Sequence, residues 1–116
     1  MNIRYFYKNV SIDDKTKSYI EKRLSKLNKF LKNILKSEVE IEKNKKGLFR
    51  VEVMIKVPKH LYRSEQISKT IESATDIVVD ELKIQIRRRK EKIWTKVVRK
   101  ARSIKKRFSV NKNARF

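Results

Sequence analysis

The 116 residues amount to one domain, with 39% hydrophobic and 40% charged residues and a formal net charge of +20, enough apolar material for one modest core. So one-sided a charge repels itself until a polyanion relieves it, nucleic acid being the first candidate and an anionic membrane surface the second. One histidine, one glycine and no cysteine exclude a zinc centre of the usual ligands, a disulfide framework, a Walker loop and a dinucleotide fingerprint, so neither an enzyme nor a cofactor or resident metal is expected.

From Asn2 to Lys8, Ile3, Tyr5 and Tyr7 share one face, the period-2 pattern of a strand. That alternation is unlike a signal peptide. No stretch approaches the roughly 20 apolar residues that cross a bilayer, and a cytoplasmic location is expected. Asp13 or Asp14 offers an N-cap. Ile20, Leu24, Leu27, Leu31 and Ile34 then recur at spacings of four, three, four and three, which predicts an amphipathic helix of about 20 residues. On that helix Lys15, Lys22, Lys26, Lys29 and Lys36 fall within about 80° of one another, opposite the apolar stripe, with Arg23 and Lys32 on the flanks.

Ser37 to Lys43 alternates again, Val39 and Ile41 inward and Glu38, Glu40 and Glu42 outward, where Arg50 and Lys56 could partner them across a ladder. Asn44 to Gly47 reads as a turn, Phe49 to Val57 as a longer strand, Pro58 to His60 as a second turn and Leu61 to Gln66 as a short strand. Ser68 to Lys92 returns to helical spacing, with Ser68 or Thr70 as cap and Ile71, Ala74, Val78, Leu82 and Ile86 inward. The order is β-α-β-β-β-α. It predicts an α+β two-layer sandwich, a four-stranded sheet with two helices on one face.

Residues 1–92 would form this domain, and residues 93–116 a basic, partly helical C-terminal extension. Ile93, Val97, Ala101, Ile104 and Phe108 keep helical spacing, while Ser109 to Phe116 reads as a disordered end. The charge is uneven. Residues 1–82 hold 18 Lys/Arg and 12 Asp/Glu, whereas residues 83–116 hold 15 Lys/Arg and only Glu91. Repulsion in such a segment predicts a partly formed helix that orders on RNA.

The candidate RNA-binding residues are Lys22, Arg23, Lys26 and Lys29 on the first helix and Lys83, Arg87, Arg88, Arg89, Lys90 and Lys92 on the second. Lys96, Arg99 and Lys100 follow in the extension. Phosphate neutralisation by these groups would supply affinity with steep salt dependence. His60 reads as an exposed loop histidine and the glutamate row as the solvent side of a strand. Tyr5 and Tyr7 could stack bases, but their shared face with Ile3 favours core packing.

The segment Arg23-Leu24-Ser25-Lys26-Leu27-Asn28-Lys29 resembles the first-helix "R-L-x-K-L-x-K" stretch of ribosome hibernation promoting factors and ribosome-associated translation inhibitors, also called ribosomal subunit interface proteins. Val57-Pro58, Asp76 and Leu82 to Arg88 are similar to later elements of that family, and the likeness spans residues 2–92 in order. The resemblance implies a non-catalytic factor of the short type, bound to the small ribosomal subunit and its ribosomal RNA in the channel of mRNA and tRNA. It would keep ribosomes idle under stress or in stationary phase. By position, Arg23, Lys26, Lys29, Lys83, Arg87 and Arg88 would be the contacts. No small-molecule substrate and no membrane partner is implied, and the chain would be a monomer off the ribosome. Glu72 stands where the family usually has an aromatic, and the basic end departs from the neutral or acidic tails of short members. Residues 93–116 are too few for the second domain with which long members pair ribosomes.

Two other readings compete. A constitutive ribosomal or general RNA-binding protein would share the charge and size. A membrane-surface protein would use Trp94, Val97, Ala101, Ile104 and Phe108 as the apolar face of a basic helix. A double-stranded RNA-binding domain begins with a helix, and this chain begins with a strand.

Overall fold

The computed structural model describes the backbone of residues 1–108 and the side chains of residues 1–100; the expectations for the end at 109–116 and for the side chains of Ala101, Ile104 and Phe108 lie outside them. The elements are β1 (Ile3–Lys8), α1 (Asp14–Ser25), a 3₁₀ turn (Asn28–Phe30), β2 (Lys36–Lys43), β3 (Phe49–Val57), β4 (His60–Ser68) and α2 (Ile71–Phe108). The strands form one sheet in the order β1-β2-β3-β4. β1 runs parallel to β2, with Tyr5 opposite Val39, because α1 carries the chain back across one face in a β-α-β crossover. The two hairpins that follow are antiparallel.

Alternation sets which side of the sheet is covered. Val39, Ile41, Val51, Val53, Ile55, Val57 and Tyr62 face inward. They form a single core with Ile20, Leu24 and Leu27 and with Ile71, Ala74, Val78, Val79, Leu82 and Ile86 of α2. Each fully buried aliphatic side chain contributes about 1.5–3 kcal/mol. This is the expected α+β sandwich with both helices on one face. Asp13 is the α1 cap, its Oδ1 accepting from the Thr16 N–H at 2.8 Å, which holds the Asp13 carboxyl below its usual pKa. Thr70 caps α2, its Oγ1 accepting from the Ser73 N–H at 3.0 Å.

Three local expectations are corrected. The first helix stops at Ser25. The Lys26 N–H turns back to the carbonyls of Arg23 and Leu24, a 3₁₀ turn follows, and Leu31 is already extended. Asn33 takes a left-handed φ of 58°, which asparagine tolerates. The spacing of Leu27, Leu31 and Ile34 does mark inward residues, since Leu27 is fully buried and the other two pack against the core. A tightened turn and an extended segment satisfy it as well as a helix would. Lys26 and Lys29 therefore leave the α1 face, and Lys36 belongs to β2.

β4 is longer than expected, because only Pro58 and Lys59 separate it from β3. Lys59 carries the positive φ of 67° that a type II turn requires after proline. His60 consequently sits in the sheet opposite Val57, its ring edge-on to Tyr62 at 4.5 Å. Glu38, finally, pairs with Lys36 of its own strand at 3.6 Å, because the register sets Lys56 opposite Lys36.

The described chain divides into two units, Met1–Ile86 and a second that begins at Arg87. Among the described side chains Ile86 is the last buried residue of α2, so the first unit closes six residues before the shift in composition after Lys92.

Candidate nucleic-acid interface

The open face of the sheet is charged but internally balanced. Glu40, Glu52 and Glu65 lie opposite one another on adjacent strands, a like-charge row that would destabilise the sheet by itself. Arg50 offsets it, its guanidinium pairing with Glu40, with Glu42 at 2.9 Å and with Glu65 at 3.7 Å. Burial opposes the charged form of Arg50, but these carboxylates outweigh it and push its pKa up. Arg63 holds Glu52 through Nε at 2.7 Å. On the same face Arg4 lies over the exposed Phe6 ring, 5.5 Å from its centroid. The glutamate row is thus a solvent-side ladder, held by Arg50 as expected and by Arg63, which sequence reasoning missed.

The helical side of the first unit is the opposite case. Lys22, Lys26, Lys29 and Lys83 are exposed, and among the described residues none has a carboxylate within 4.0 Å. Lys29 leans over Phe30 at 5.2 Å. The early end of α1 fixes where these ammonium groups stand: Lys22 lies on its last turn, Lys26 at its C-cap and Lys29 on the 3₁₀ turn.

Arg23 differs from its neighbours. Its Nε lies 2.8 Å from Asp76 Oδ1, close enough for an ion pair although the N–H is not aligned as a hydrogen bond. The Tyr19 hydroxyl donates to the same oxygen at 2.8 Å. That hydrogen bond, with lesser help from burial and the charge of Asp76, pushes the Tyr19 phenol up. Arg23 therefore ties α1 to α2. The spacing i to i+53 hid this; only the shared resemblance segments contained both partners.

Tyr5 and Tyr7 lie nearly parallel with centroids 6.2 Å apart. Tyr5 donates to Glu21 at 3.3 Å and carries Lys17 over its ring at 4.9 Å. Burial first, then Glu21, pushes the Tyr5 phenol up. Its ring is committed to these partners and to the core edge.

In the second unit Arg87, Arg88, Lys90, Lys92, Lys96, Arg99 and Lys100 are exposed and Arg89 is half-buried. Four consecutive cations necessarily encircle a helix, and Glu91 is the one acid among residues 87–116. Trp94 is 67% exposed, beside exposed Ile93 and Val97. Among the described residues no cluster of His, Cys, Asp and Glu is placed to hold a metal ion, and no helix is long and apolar enough to cross a membrane. A surface hollow beside the start of α1, lined by Val10, Ile12, Asp13, Lys43 and Phe49, has its one acid engaged as the helix cap.

The arrangement resembles known proteins at both levels of comparison. Residues 3–94 match the family described as sigma 54 modulation protein / S30EA ribosomal protein. The N-terminal domain of Protein Y from Thermus thermophilus is 30% identical, with a TM-score of 0.67 over 76% of this chain and 98% of that one. A ribosomal subunit interface protein from Coxiella burnetii shares the fold at 19% identity, with a TM-score of 0.68 over 78% of this chain and 99% of its own. With most of its length matched in order, the chain belongs to the sigma 54 modulation protein / S30EA ribosomal protein family.

Proposed function

We propose that this protein is a cytoplasmic ribosome-binding factor that occupies the mRNA and tRNA channel of the small subunit and keeps the ribosome inactive. The observation that supports this most is the sorting of its cations. Arg50 and Arg63 of the sheet are neutralised within the fold, whereas Lys22, Lys26, Lys29 and Lys83 are left with their charge directed at solvent. Exposed, unneutralised ammonium and guanidinium groups release counterions when they meet phosphate, which is the main source of nucleic-acid affinity. The family, described as sigma 54 modulation protein / S30EA ribosomal protein, supports ribosomal RNA as that polyanion. Occlusion needs no catalytic group. The basic residues from Arg87 onward, including the extension after Lys92, add affinity by following RNA beyond the site held by the first unit.

Co-sedimentation on sucrose gradients tests the proposal. The protein should travel with small subunits and be displaced by mRNA and tRNA together. It should also inhibit a cell-free translation reaction. Changing Lys26, Lys29, Arg87 and Arg88 together to Gln should lower ribosome affinity by roughly a hundredfold, at about 1 kcal/mol or less for each cation neutralised, with stability unchanged. Equal binding to ribosomes filled with mRNA and tRNA would remove occlusion as the mechanism, and unaltered binding by a folded quadruple variant would remove the interface.

A further inference from the structure

The second unit carries one feature that phosphate neutralisation does not use. Trp94 exposes 67% of its surface in a stretch rich in cations, and an indole in that position is costly to leave in water. At about 100° per residue, Arg87 and Lys90 share its face of the helix, seven and four positions earlier. We propose that Trp94 is a stacking platform for an unpaired RNA base, with Arg87 and Lys90 meeting the phosphates that flank it. For its natural ligand this rests on the ribosomal RNA reading above.

The residue types and their spacing favour RNA over the other polyanion and over self-association. Single-stranded RNA places charged phosphates beside each flat apolar base, and a ring with two cations in line on one side of it along the helix suits that arrangement. A helix lying in a lipid surface needs an apolar face without charge, but Lys90 falls within the sector of Ile93, Val97 and Trp94, and Arg87 borders it. A second copy would bring two sets of like charges together with only Glu91 to offset them. The family match ends at residue 94, so this platform closes the shared domain and opens the extension.

Trp94 is the sole tryptophan, so the emission of the full chain reports it alone. The probes are a single-stranded oligoadenylate RNA, inorganic polyphosphate (charge without bases) and phosphatidylglycerol vesicles. Oligoadenylate should quench the emission strongly and polyphosphate weakly. By titration calorimetry, since the variants lack the indole, Trp94→Ala should weaken oligoadenylate binding roughly tenfold and leave polyphosphate binding unchanged, and Trp94→Phe should restore most of the loss. Equal oligoadenylate binding by Trp94→Ala and the wild type overturns the proposal, as does RNA that leaves the emission unaltered. A blue shift with vesicles alone assigns the residue to a membrane surface instead. Ribosome co-sedimentation of the same proteins separates the two readings. Wild-type chain that sediments with ribosomes while Trp94→Ala binds oligoadenylate normally sinks only the platform. Wild-type chain quenched by oligoadenylate but never found on ribosomes sinks only the ribosomal reading.

Discussion

Arg50 and Arg87 carry the same guanidinium in opposite surroundings. Arg50 sits in Met1–Ile86, 16% exposed, with three glutamates around it. Arg87 opens the second unit, exposed, in a segment with a single acid. The first unit has one buried apolar core and sets Arg50 and Arg63 against the glutamates of its open sheet face. The second leaves both its cations and its apolar residues, Ile93, Trp94 and Val97, on the surface. A segment with cations in excess over acid and apolar residues on its surface is suited to a partner. Stability and binding should therefore separate by surroundings: substitutions in the core and the sheet ladder should report on stability, and those of exposed cations such as Arg87 on binding.

The largest effect should come from the core. Leu24 is 1% exposed, and Leu24→Ala should cost about 3 kcal/mol in urea unfolding, while Val97→Asn in the second unit should change stability by less than about 0.5 kcal/mol. Comparable losses from the two would show that the units do not divide the work this way.

Next in size is the sheet ladder. Arg50→Ala leaves Glu40, Glu42 and Glu65 facing one another without their common cation, and should cost about 2 kcal/mol with ribosome affinity unchanged. Arg87→Gln should do the reverse, lowering affinity while the unfolding midpoint stays put. A drop in ribosome binding from Arg50→Ala, measured on folded protein, would place the sheet face at the interface as well.

A third test concerns the extension. Ending the chain after Lys92 removes nine Lys/Arg and no acid. The shortened protein should compete for the same ribosomal site more weakly. Its affinity should also fall less steeply with salt, the slope shrinking by about 0.7 for each phosphate that is no longer neutralised. An unchanged slope would show that the extension follows no RNA.

Much of this was legible in the sequence, and the misses share a cause. Alternation in Val39 and Ile41 and in Val51, Val53 and Ile55 fixed the inward face, because a strict period of two fits a half-buried strand and not a helix. The spacing from Ile20 to Ile34 was ambiguous, since a helix and a 3₁₀ turn leading to an extended segment bury the same positions. Nothing in the local pattern marks Lys26 as the cap. The site residues were legible as charge but not as partnership. Lys22 and Arg23 are neighbours in sequence, and only the packing of α1 against α2 shows that one meets solvent and the other Asp76. A pair 53 positions apart leaves no periodic trace. Arg63 escaped for the same reason, its role depending on the register of β3 and β4.

Arg23 is where the division between stability and binding is most exposed to failure, because resemblance implies an RNA contact and geometry supplies an internal one. Its partner Asp76 also accepts the Tyr19 hydroxyl, so the seam can be probed without touching a cation. Tyr19→Phe removes that one hydrogen bond and should cost about 1 kcal/mol or less, with ribosome affinity unchanged. The pH dependence gives a second readout. The Tyr19 phenol is raised above its usual value near 10, so the fold favours its neutral form. That contribution is fully present below the unfolded pKa and is lost as pH rises through the folded one. Wild-type stability should therefore decline more steeply above about pH 10 than that of Tyr19→Phe, followed by chemical unfolding across the alkaline range. If Arg23 serves the seam, Arg23→Gln and Asp76→Asn should also be coupled in a double-mutant cycle by roughly 0.5–1 kcal/mol. Independent stability effects, together with a loss of ribosome binding from Arg23→Gln as large as that from Lys26→Gln, would return Arg23 to the RNA interface and leave Tyr19 as the hydroxyl that holds Asp76.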